Sequence, residues 1–382
     1  MRRIALGLEM SDSFDYGVMR GVIQYAKVHR SWRLYGYGWM FLPLGSLEQW
    51  SGDGVIVRLQ YREDLSFLKE LKCPVIDLAE AFPQPEISSA RNNDLETGRI
   101  AAVHFRERGF SSFAYCGISG VQWAQLRLEG FLRGNELARV SSFERPLRWW
   151  LMNSYSQELA AFLKKLPMPS ALFCCNDKVG LRISGLCETI GIRIPHDLAV
   201  LGVDNDEIVC ELANPSLSSV ELASEQIGWE AARLLDEKMN RIARHEATVR
   251  TIAPVGIRQR GSTETHATHD PLVQGVLRCV TGKEGYRKSV QDVVNELAVS
   301  RRVLEKRFKL VTNSTIHERI VLQRIQHARD LLETSNEKVD SIARACGFGS
   351  SQRFFVQFRR YTGMTTNEYR LRRRRTHGSP GI

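Results

Sequence analysis

Apolar residues recur in two different patterns along the 382 residues of the chain. Up to Arg260, short apolar runs alternate with amphipathic segments of helical spacing such as Tyr16–His29, and beyond Asp270 only the helical spacing remains. Alternating strands and helices predict an α/β fold, with doubly wound parallel sheets covered by helices on both faces. The predicted strands are Arg3–Leu8, Gly54–Leu59, Pro74–Ala79, Phe113–Ile118, Ala171–Cys175 and Leu198–Val203.

A polar segment separates the two patterns. Residues Gly261–Asp270, with the sequence GSTETHATHD, are small and polar and have no apolar periodicity, which is typical of a linker. We therefore predict an α/β domain over residues 1–260, built as one large or two smaller lobes, a linker over residues 261–271 and an all-α domain over residues 272–382.

The all-α part repeats one small motif, which consists of a short helix, a turn and a second helix. The second helix of each copy has two apolar residues four positions apart that face inward, Leu304 with Phe308 and Phe354 with Phe358. Basic and amide side chains are left on its outer face. Such a helix can enter the major groove of DNA and hydrogen-bond to base edges, so the repeat predicts two helix-turn-helix motifs.

The net charge of +10 is unevenly distributed along the chain. Residues 271–382 contain 22 Lys and Arg against 10 Asp and Glu, whereas residues 1–270 contain 31 against 33. A basic last third behind a nearly neutral body indicates a polyanionic partner, and we predict double-stranded DNA. The helical segment Ser314–Ser335 is about 27 Å long and would hold the two DNA-reading helices roughly one DNA turn apart. We expect Arg372–Arg375 to be a phosphate-binding or solubilising tail and not a sequence reader.

These motifs resemble the AraC-type DNA-binding domain. The resemblance is carried by Ser300…Leu304…Phe308, Arg324-x-x-His327-Ala328-x-x-Leu331-Leu332, Ile342-Ala343…Gly347-Phe348…Ser350-Ser351-Gln352 and Gly363…Glu368-Tyr369-Arg370. The chain departs from the family pattern at Ala298, where a glycine is usual, at Gly349 and at Thr366. The resemblance implies base contacts from Arg302, Glu305 and Lys306 in the first motif, and from Ser351, Gln352 and Arg353 in the second.

Polar residues follow several predicted strands of the α/β part, and they include Asp12, Asn176, Asp177, Asp204 and Asn205. Ligands of doubly wound sheets bind beyond the carboxyl ends of the strands, where carboxylate and amide oxygens can accept hydrogen bonds from sugar hydroxyls. Arg127 and Trp123 would add donors and a stacking surface for a sugar ring. Each residue alone could equally well cap a helix, and only the set predicts a sugar site.

Residues Ala171–Leu235 resemble the sensor domain of LacI-type repressors and periplasmic sugar-binding proteins. The resemblance is carried by Asn176-Asp177, Gly191…Ile194-Pro195-x-Asp197, Gly202-x-Asp204 and Pro215…Ser218-Ser219-Val220, with Arg127-x-x-Gly130-Phe131 upstream. It implies two lobes that close on a small sugar and pair in a homodimer. It also implies sugar contacts from Asp204 and Asn205 first, then from Asn176, Asp177 and Arg127.

A LacI-like sensor followed by an AraC-type domain resembles the family of xylose operon regulators over the whole length. This resemblance implies an activator of xylose-catabolism genes that responds to D-xylose. Composition does not distinguish a pentose from a hexose, so another sugar of either class stays open as the effector.

Other functions find little support in the sequence. The eight cysteines are scattered without a C-x-x-C pair, so we expect neither a metal site nor a disulfide framework. The G-x-S-x-G, P-loop and H-E-x-x-H motifs of common enzymes are absent, and we expect no catalytic residues and no cofactor. The length of the α/β part also argues against a response-regulator receiver, which would be only about half as long. No apolar run reaches the roughly 20 residues of a membrane span and the start is not typical of a signal peptide, so we expect a cytoplasmic protein without membrane contact.

Overall fold

The computed structural model describes residues 1–30, 32–37, 44–79, 81–84, 86–135, 138–152, 157–240, 247–265, 270–281, 284–312, 314–335, 337–362 and 364–370. The chain divides into a first unit of Met1–Arg106 and Phe110–Thr265 and a second unit of Glu107–Gly109 and His266–Ile382. The predicted tail Arg372–Arg375 and residues 266–269 of the predicted linker lie outside the described residues.

The first unit contains two six-stranded sheets among its described residues. In chain order their strands are β1 Arg2–Gly7, β2 Trp32–Tyr37, β3 Gly54–Val57, β4 Val75–Asp77, β5 Ser88–Asn92, β6 Phe113–Ile118, β7 Val140–Arg145, β8 Ser170–Cys174, β9 Leu198–Val203, β10 Ser218–Glu221, β11 Val249–Ile252 and β12 Gly256–Arg258. The helices of this unit are α1 Ser13–His29, α2 Asp94–Arg106, α3 Gln122–Gly134, α4 Leu147–Met152, α5 Gln157–Lys164, α6 Asp177–Ile190, α7 Glu207–Leu212 and α8 Ser224–Met239.

The two sheets define two lobes. The first lobe has the strand order β11-β5-β4-β3-β1-β2 and the second has the order β12-β10-β9-β8-β6-β7. The chain crosses between the lobes three times, after β5, after β10 and after β11. All six predicted strands are present at these positions, so the predicted α/β fold is confirmed.

One strand departs from the parallel pattern: β12, which is not among the predicted strands, pairs antiparallel with β10. The reason lies in the third crossing. β11 runs parallel to β5 in the first lobe and ends at Ile252, and β12 begins only four residues later in the second lobe. The chain therefore enters the second lobe at the carboxyl ends of its strands and runs in the opposite direction.

The predicted linker segment starts with residues that pack inside the first unit. Gly261–Thr263 form one turn of 3-10 helix, and Ser262 and Thr263 are fully buried. The Ser262 hydroxyl donates to the carbonyl of Val200 at 2.6 Å, and the Thr263 hydroxyl donates to Ser218 Oγ at 2.8 Å. Hydrogen bonds to the second-lobe sheet thus fix a segment that has no apolar side chain to bury.

The second unit is all-helical in its described part. Its helices are α9 Pro271–Thr281, α10 Val290–Leu297, α11 Arg301–Thr312, α12 Ile316–Thr334, α13 Val339–Ala345 and α14 Ser351–Thr362. One apolar core joins α9, α10 and α11 to the start of α12 through Ile316 and Ile320. A second core joins α13 and α14 to the rest of α12 through Val321 and Ile325. The long helix α12 therefore belongs to both cores.

Candidate ligand cleft and nucleic-acid interface

A cleft of about 420 Å³, counting the part open to solvent, lies where the carboxyl ends of the two sheets meet. The apolar part of its lining includes Phe14, Trp123 and Leu222, and the polar part consists of Arg58, Arg91, Asn92, Asp94, Arg127, Asn176 and Asp204. Residues of both lobes contribute, so a ligand in the cleft would contact both.

Arg127 is held in the cleft by the close packing of α2 against α3. A side-chain carbon at Gly98 or at Gly130 would come within 2.0 Å of a backbone carbonyl of the other helix, so only glycine allows this approach. The packing places Arg127 Nε 2.7 Å from Asp94 Oδ1, to which it donates, while Nη1 donates to the carbonyl of Cys175. This buried guanidinium is thereby fixed in one orientation, with Nη1 3.9 Å from Asp204 Oδ1.

Asp204 lies at the end of β9 in a strained backbone conformation. Its φ is 110° and that of Asn205 is 51°, in the region that favours glycine. The backbone N–H of Asp204 donates to the carbonyl of Val220 at 3.0 Å, which holds the turn against β10. Burial raises the pKa of Asp204 to about 7, although Arg127 acts in the opposite direction. At neutral pH this carboxyl group can therefore accept or donate a hydrogen bond.

Arg58 forms the opposite side of the cleft and extends from the end of β3. Its Nη1 donates to Asp12 Oδ1 at 3.0 Å and to Asp15 Oδ1 at 2.9 Å, and its Cζ lies 4.8 Å from the centroid of the Phe14 ring. Burial lowers the pKa of Arg58, but Asp12 and Asp15 outweigh it, so the pKa is raised and the guanidinium stays charged. Burial also disfavours the Asp12 carboxylate, but Arg58 and Lys178 hold its pKa below the ordinary value.

The cleft contains four of the seven predicted ligand residues, Trp123, Arg127, Asn176 and Asp204. The other three make contacts inside the protein. Asp12 caps α1 and pairs with Arg58. Asp177 is 1% exposed, and its carboxylate accepts from Ser219 Oγ at 2.6 Å and from the backbone N–H of Asp206 at 2.8 Å. Asn205 Oδ1 accepts from Arg260 Nη2 at 2.8 Å.

Four polar residues of the lining were not predicted from the sequence, namely Arg58, Arg91, Asn92 and Asp94. Arg58 lies inside the predicted strand Gly54–Leu59, but β3 ends at Val57, so the search for polar residues after the strand missed it. Arg91 and Asn92 end β5, whose sequence SSARN lacks the apolar pattern of a strand. Asn92 Nδ2 donates to Asp94 Oδ1 at 2.8 Å, while its buried Oδ1 accepts no hydrogen bond from any described residue.

The cleft combines guanidinium donors, carboxylate and amide acceptors and the Trp123 ring, whose centroid lies 4.9 Å from Arg127 Cζ. This set suits a neutral polyhydroxylated ring, because each hydroxyl can accept from an arginine and donate to a carboxylate. Within the described part of the chain, no group of three or more His, Cys, Asp and Glu side chains is arranged to hold a metal ion.

The first helix-turn-helix motif of the second unit consists of α10 and α11. The Ser289 hydroxyl accepts from the backbone N–H of Asp292, and the Asp292 carboxylate accepts from that of Ser289, which forms a capping box at the start of α10. The turn contains Ala298 in a left-handed conformation with φ 52°. Leu304 and Phe308 are buried, as the sequence predicts.

The second motif, α13 and α14, has the same arrangement with a different turn residue. Gly347 occupies the turn with φ 79°, and Phe354 and Phe358 are buried as predicted. The Ser350 hydroxyl accepts from the backbone N–H of Arg353 at 3.3 Å, which caps the start of α14.

The outer faces of α11 and α14 carry the predicted base-contacting residues. Of these, Arg302, Lys306, Gln352 and Arg353 are exposed, and Glu305 and Ser351 are half-buried. All six lie in the first half of a twelve-residue helix. The face of α14 also exposes Phe355 and Val356, for which the sequence suggested no role and which could contact thymine methyl groups.

Comparison with known protein families identifies two domains in this chain. A periplasmic binding protein-like domain matches residues 102–263, and a helix-turn-helix domain matches residues 293–372. These matches agree with the two units of the structure in kind and in order. No helix in the described part of the chain is both long and apolar enough to cross a membrane.

Two relatives that are similar over nearly the full length bear the name xylose operon regulatory protein. The protein from Haemophilus influenzae is 28% identical, and the match covers 97% of this chain and 98% of the relative. The protein from Escherichia coli K12 is also 28% identical, with 96% of each chain covered. The predicted resemblance to xylose operon regulators is confirmed by these homologues.

Solved structures support the same architecture. The structure of a xylose-binding transcription activator matches with a TM-score of 0.63 and 26% identity, and covers 97% of this chain and 98% of that one. A transcriptional regulator solved in complex with cellobiose matches with a TM-score of 0.56 and 22% identity over 68% of this chain and 84% of its own, and shares the fold of the first unit.

Proposed function

We propose that this chain, a DNA-binding transcriptional regulator that joins a periplasmic binding protein-like domain to an AraC-type helix-turn-helix domain, is switched by D-xylose bound in its cleft. One observation carries the proposal. A cleft of arginine–carboxylate pairs and two exposed recognition helices occur in one chain that is similar to xylose operon regulatory proteins from end to end.

The proposed sugar contacts follow from the donors and acceptors of the cleft. Arg58 and Arg127 would donate to ring and hydroxyl oxygens, and Asp204 would accept from a hydroxyl. Asn92 Oδ1 is a further acceptor, since no described residue donates to it. Trp123 would stack on the ring. The names of the full-length relatives favour xylose over other sugars of the same size.

The proposed DNA contacts lie on the exposed faces of α11 and α14. Arg302, Glu305 and Lys306 would contact bases in one major groove and Ser351, Gln352 and Arg353 in the next. Two chains would pair as a homodimer on adjacent half-sites in the cytoplasm and activate genes of xylose catabolism. Because phosphate contacts dominate affinity, binding should weaken steeply as salt is raised.

The switch would act through closure of the two lobes around the sugar. Contacts between the lobes already flank the cleft, since Lys178 Nζ lies 3.5 Å from Asp12 Oδ2 and the backbone N–H of Ser13 donates to Asp206 Oδ2 at 3.1 Å. The sugar would contact residues of both lobes only when they are closed, and this difference in binding is what shifts the equilibrium. We propose no reaction in the cleft, since the full-length relatives are regulators.

Isothermal titration calorimetry of the full chain with D-xylose, L-arabinose, D-ribose and D-glucose tests the effector. We expect D-xylose to bind most tightly. A duplex selected from random sequence by the sugar-bound protein should then bind more tightly with D-xylose than without it. Absence of binding by all four sugars would refute the proposed switch, and preference for another sugar would reassign the effector while leaving the regulator intact.

A further inference from the structure

Arg260 joins the effector cleft to the segment through which the chain leaves the first unit. Its side chain is 13% exposed. Its Nη2 donates to Asn205 Oδ1 at 2.8 Å, and its Nη1 donates to the carbonyl of Leu217 at 3.0 Å. Its Nε also lies 3.2 Å from Glu211 Oε1. One guanidinium therefore contacts both the β9–α7 turn and the residue before β10, and it belongs to the last segment of the first unit.

Asn205 is the immediate neighbour of the cleft residue Asp204, and both have positive φ. Besides the bond to Arg260, its backbone N–H donates to Ser219 Oγ at 2.9 Å. A non-glycine turn of this kind persists only where surrounding groups hold it, so a ligand that contacts Asp204 acts on a strained and closely held turn. Arg260 is one of the groups that hold it.

The residues after Arg260 are fixed to the strands that carry the cleft. The backbone N–H of Ser218 donates to Ser262 Oγ at 2.8 Å, and the Ser218 hydroxyl donates to the carbonyl of Arg260 at 3.0 Å. His104 Nε2 lies 3.0 Å from Thr263 Oγ1. Beyond Thr265 the chain continues into the second unit. A shift of the β9–α7 turn would therefore be transmitted to residues 260–263 through a few hydrogen bonds.

We infer that the Arg260–Asn205 pair couples sugar binding at Asp204 to the segment that leads into the DNA-binding unit. Asn205 is then a coupling residue and not a sugar ligand, and Arg260 is a positioning residue that does not contact the sugar. This inference rests on the proposed function, because it requires a sugar response to transmit. It predicts that a substitution can remove the effect of sugar on DNA binding while leaving sugar binding itself intact.

The test compares Arg260→Met and Asn205→Gly with the wild-type full chain. Arg260→Met keeps the length of the side chain and removes its donors, and Asn205→Gly removes the acceptor while suiting the positive φ. D-Xylose affinity is measured by calorimetry, and affinity for the selected duplex is measured with and without D-xylose. Wild type should bind the duplex on the order of tenfold more tightly with sugar. In both variants we expect xylose affinity within about threefold of wild type and a duplex-affinity ratio near one.

Two controls make the outcome specific. Asn205→Asp keeps an oxygen acceptor for Arg260 and should keep the sugar response. Arg193→Met removes a different arginine of the second lobe, one that is 73% exposed and paired with Asp197, and should change nothing. If Asn205→Gly or Arg260→Met responds to sugar as wild type does, or loses xylose binding itself, the coupling role is refuted. If wild type neither binds D-xylose nor responds to it, the proposed function fails instead.

Discussion

In the cleft, the side chains of Arg58 and Arg127 are 15% and 6% exposed, and each is held by a carboxylate within 3 Å. On the recognition helices, Arg302 and Arg353 are exposed, and neither forms an ion pair with another described residue. The two sites therefore use the same side chain in opposite ways. In the cleft the partner is already present, and the ligand must fit a fixed arrangement. On the recognition helices, Arg302 and Arg353 would be paired only when DNA supplies phosphate or base groups.

This difference predicts whether a substitution lowers stability or only binding. Removing a buried paired charge leaves its partner without compensation and costs stability. Removing an exposed charge leaves the fold unchanged and costs only binding. The experiments below test this contrast, from the largest expected effect to the smallest.

Arg127→Met should lower the free energy of unfolding by about 3–5 kcal/mol, because it leaves the buried Asp94 carboxylate without its cation. Urea unfolding of the full chain measures this change. Arg193→Met, which removes the exposed arginine of the Asp197 pair, should stay within about 0.5 kcal/mol of wild type. Equal losses in the two variants would contradict the distinction between buried and exposed pairs.

Asp204→Asn should weaken D-xylose binding by about 1.5–3 kcal/mol, since the hydroxyl loses a charged acceptor. Asparagine tolerates the positive φ at this position, so the fold should survive. Calorimetry at pH 8, above the pKa of about 7, measures the effect with the wild-type carboxyl mostly charged. Asp197→Asn in the same lobe, outside the cleft lining, should bind xylose as wild type does.

Arg353→Ala should weaken binding to the selected duplex by about 1–3 kcal/mol if Arg353 reads a base, with no measurable change in stability. Fluorescence anisotropy against selected and random duplexes separates the two kinds of contact. Arg359→Ala on the same helix is the matched exposed control. A uniform loss on both duplexes would show that Arg353 contacts phosphate only.

The pH dependence of stability should reveal the buried carboxyl of Asp204. Its pKa is raised in the folded protein, so its contribution is fully present below the ordinary aspartate pKa and is lost as pH rises toward 7. Wild type should therefore lose stability relative to Asp204→Asn between about pH 4 and 7, with a slope of at most about 1.4 kcal/mol per pH unit. Parallel pH profiles of the two proteins would exclude a raised pKa for Asp204.

The smallest effect compares the two motif turns. Ala298→Gly should stabilise the full chain by about 1 kcal/mol, because alanine is strained at φ 52°. Gly347→Ala is the reverse change and should destabilise by at least as much, since the new carbon would also lie 3.2 Å from Arg324 Nε. Thermal unfolding measures both. Destabilisation by Ala298→Gly would mean that the side chain, and not the backbone, decides this position.

The strands predicted from the sequence are the apolar ones, and two of the strands that were not predicted, β5 and β10, are rich in serine. β5 and β10 contain Ser88, Ser89, Ser218 and Ser219, all buried and hydrogen-bonded to neighbouring segments. An apolar pattern cannot reveal a strand whose interior positions are satisfied by hydroxyl groups. The chain crosses between the lobes after each of these two strands, and Arg91, Asn92 and Leu222 at their ends line the cleft.

At the cleft, looking for polar residues after each strand identifies the edge of each sheet where the cleft lies. It does not show in which direction each side chain points. Asn176 and Asp177 are adjacent in sequence, yet Asn176 lines the cleft while Asp177 is buried against Ser219. Their roles depend on partners far along the chain, which a single sequence does not display. The helix-turn-helix motifs were predicted more completely, because the contacts of each motif are local and follow helical spacing.

Because α12 belongs to both cores of the second unit, its length sets the angle between the two recognition helices, α11 and α14. Ile320 and Val321 are neighbours in sequence but pack into different cores, so the helix cannot slip against one half alone. One inserted residue in α12 would turn α14 by about 100° relative to α11. Four inserted residues would turn it by about 400°, which leaves a difference of about 40°, and would move it about 6 Å along the axis of α12. The geometry of this single helix therefore fixes how α11 and α14 are oriented relative to each other.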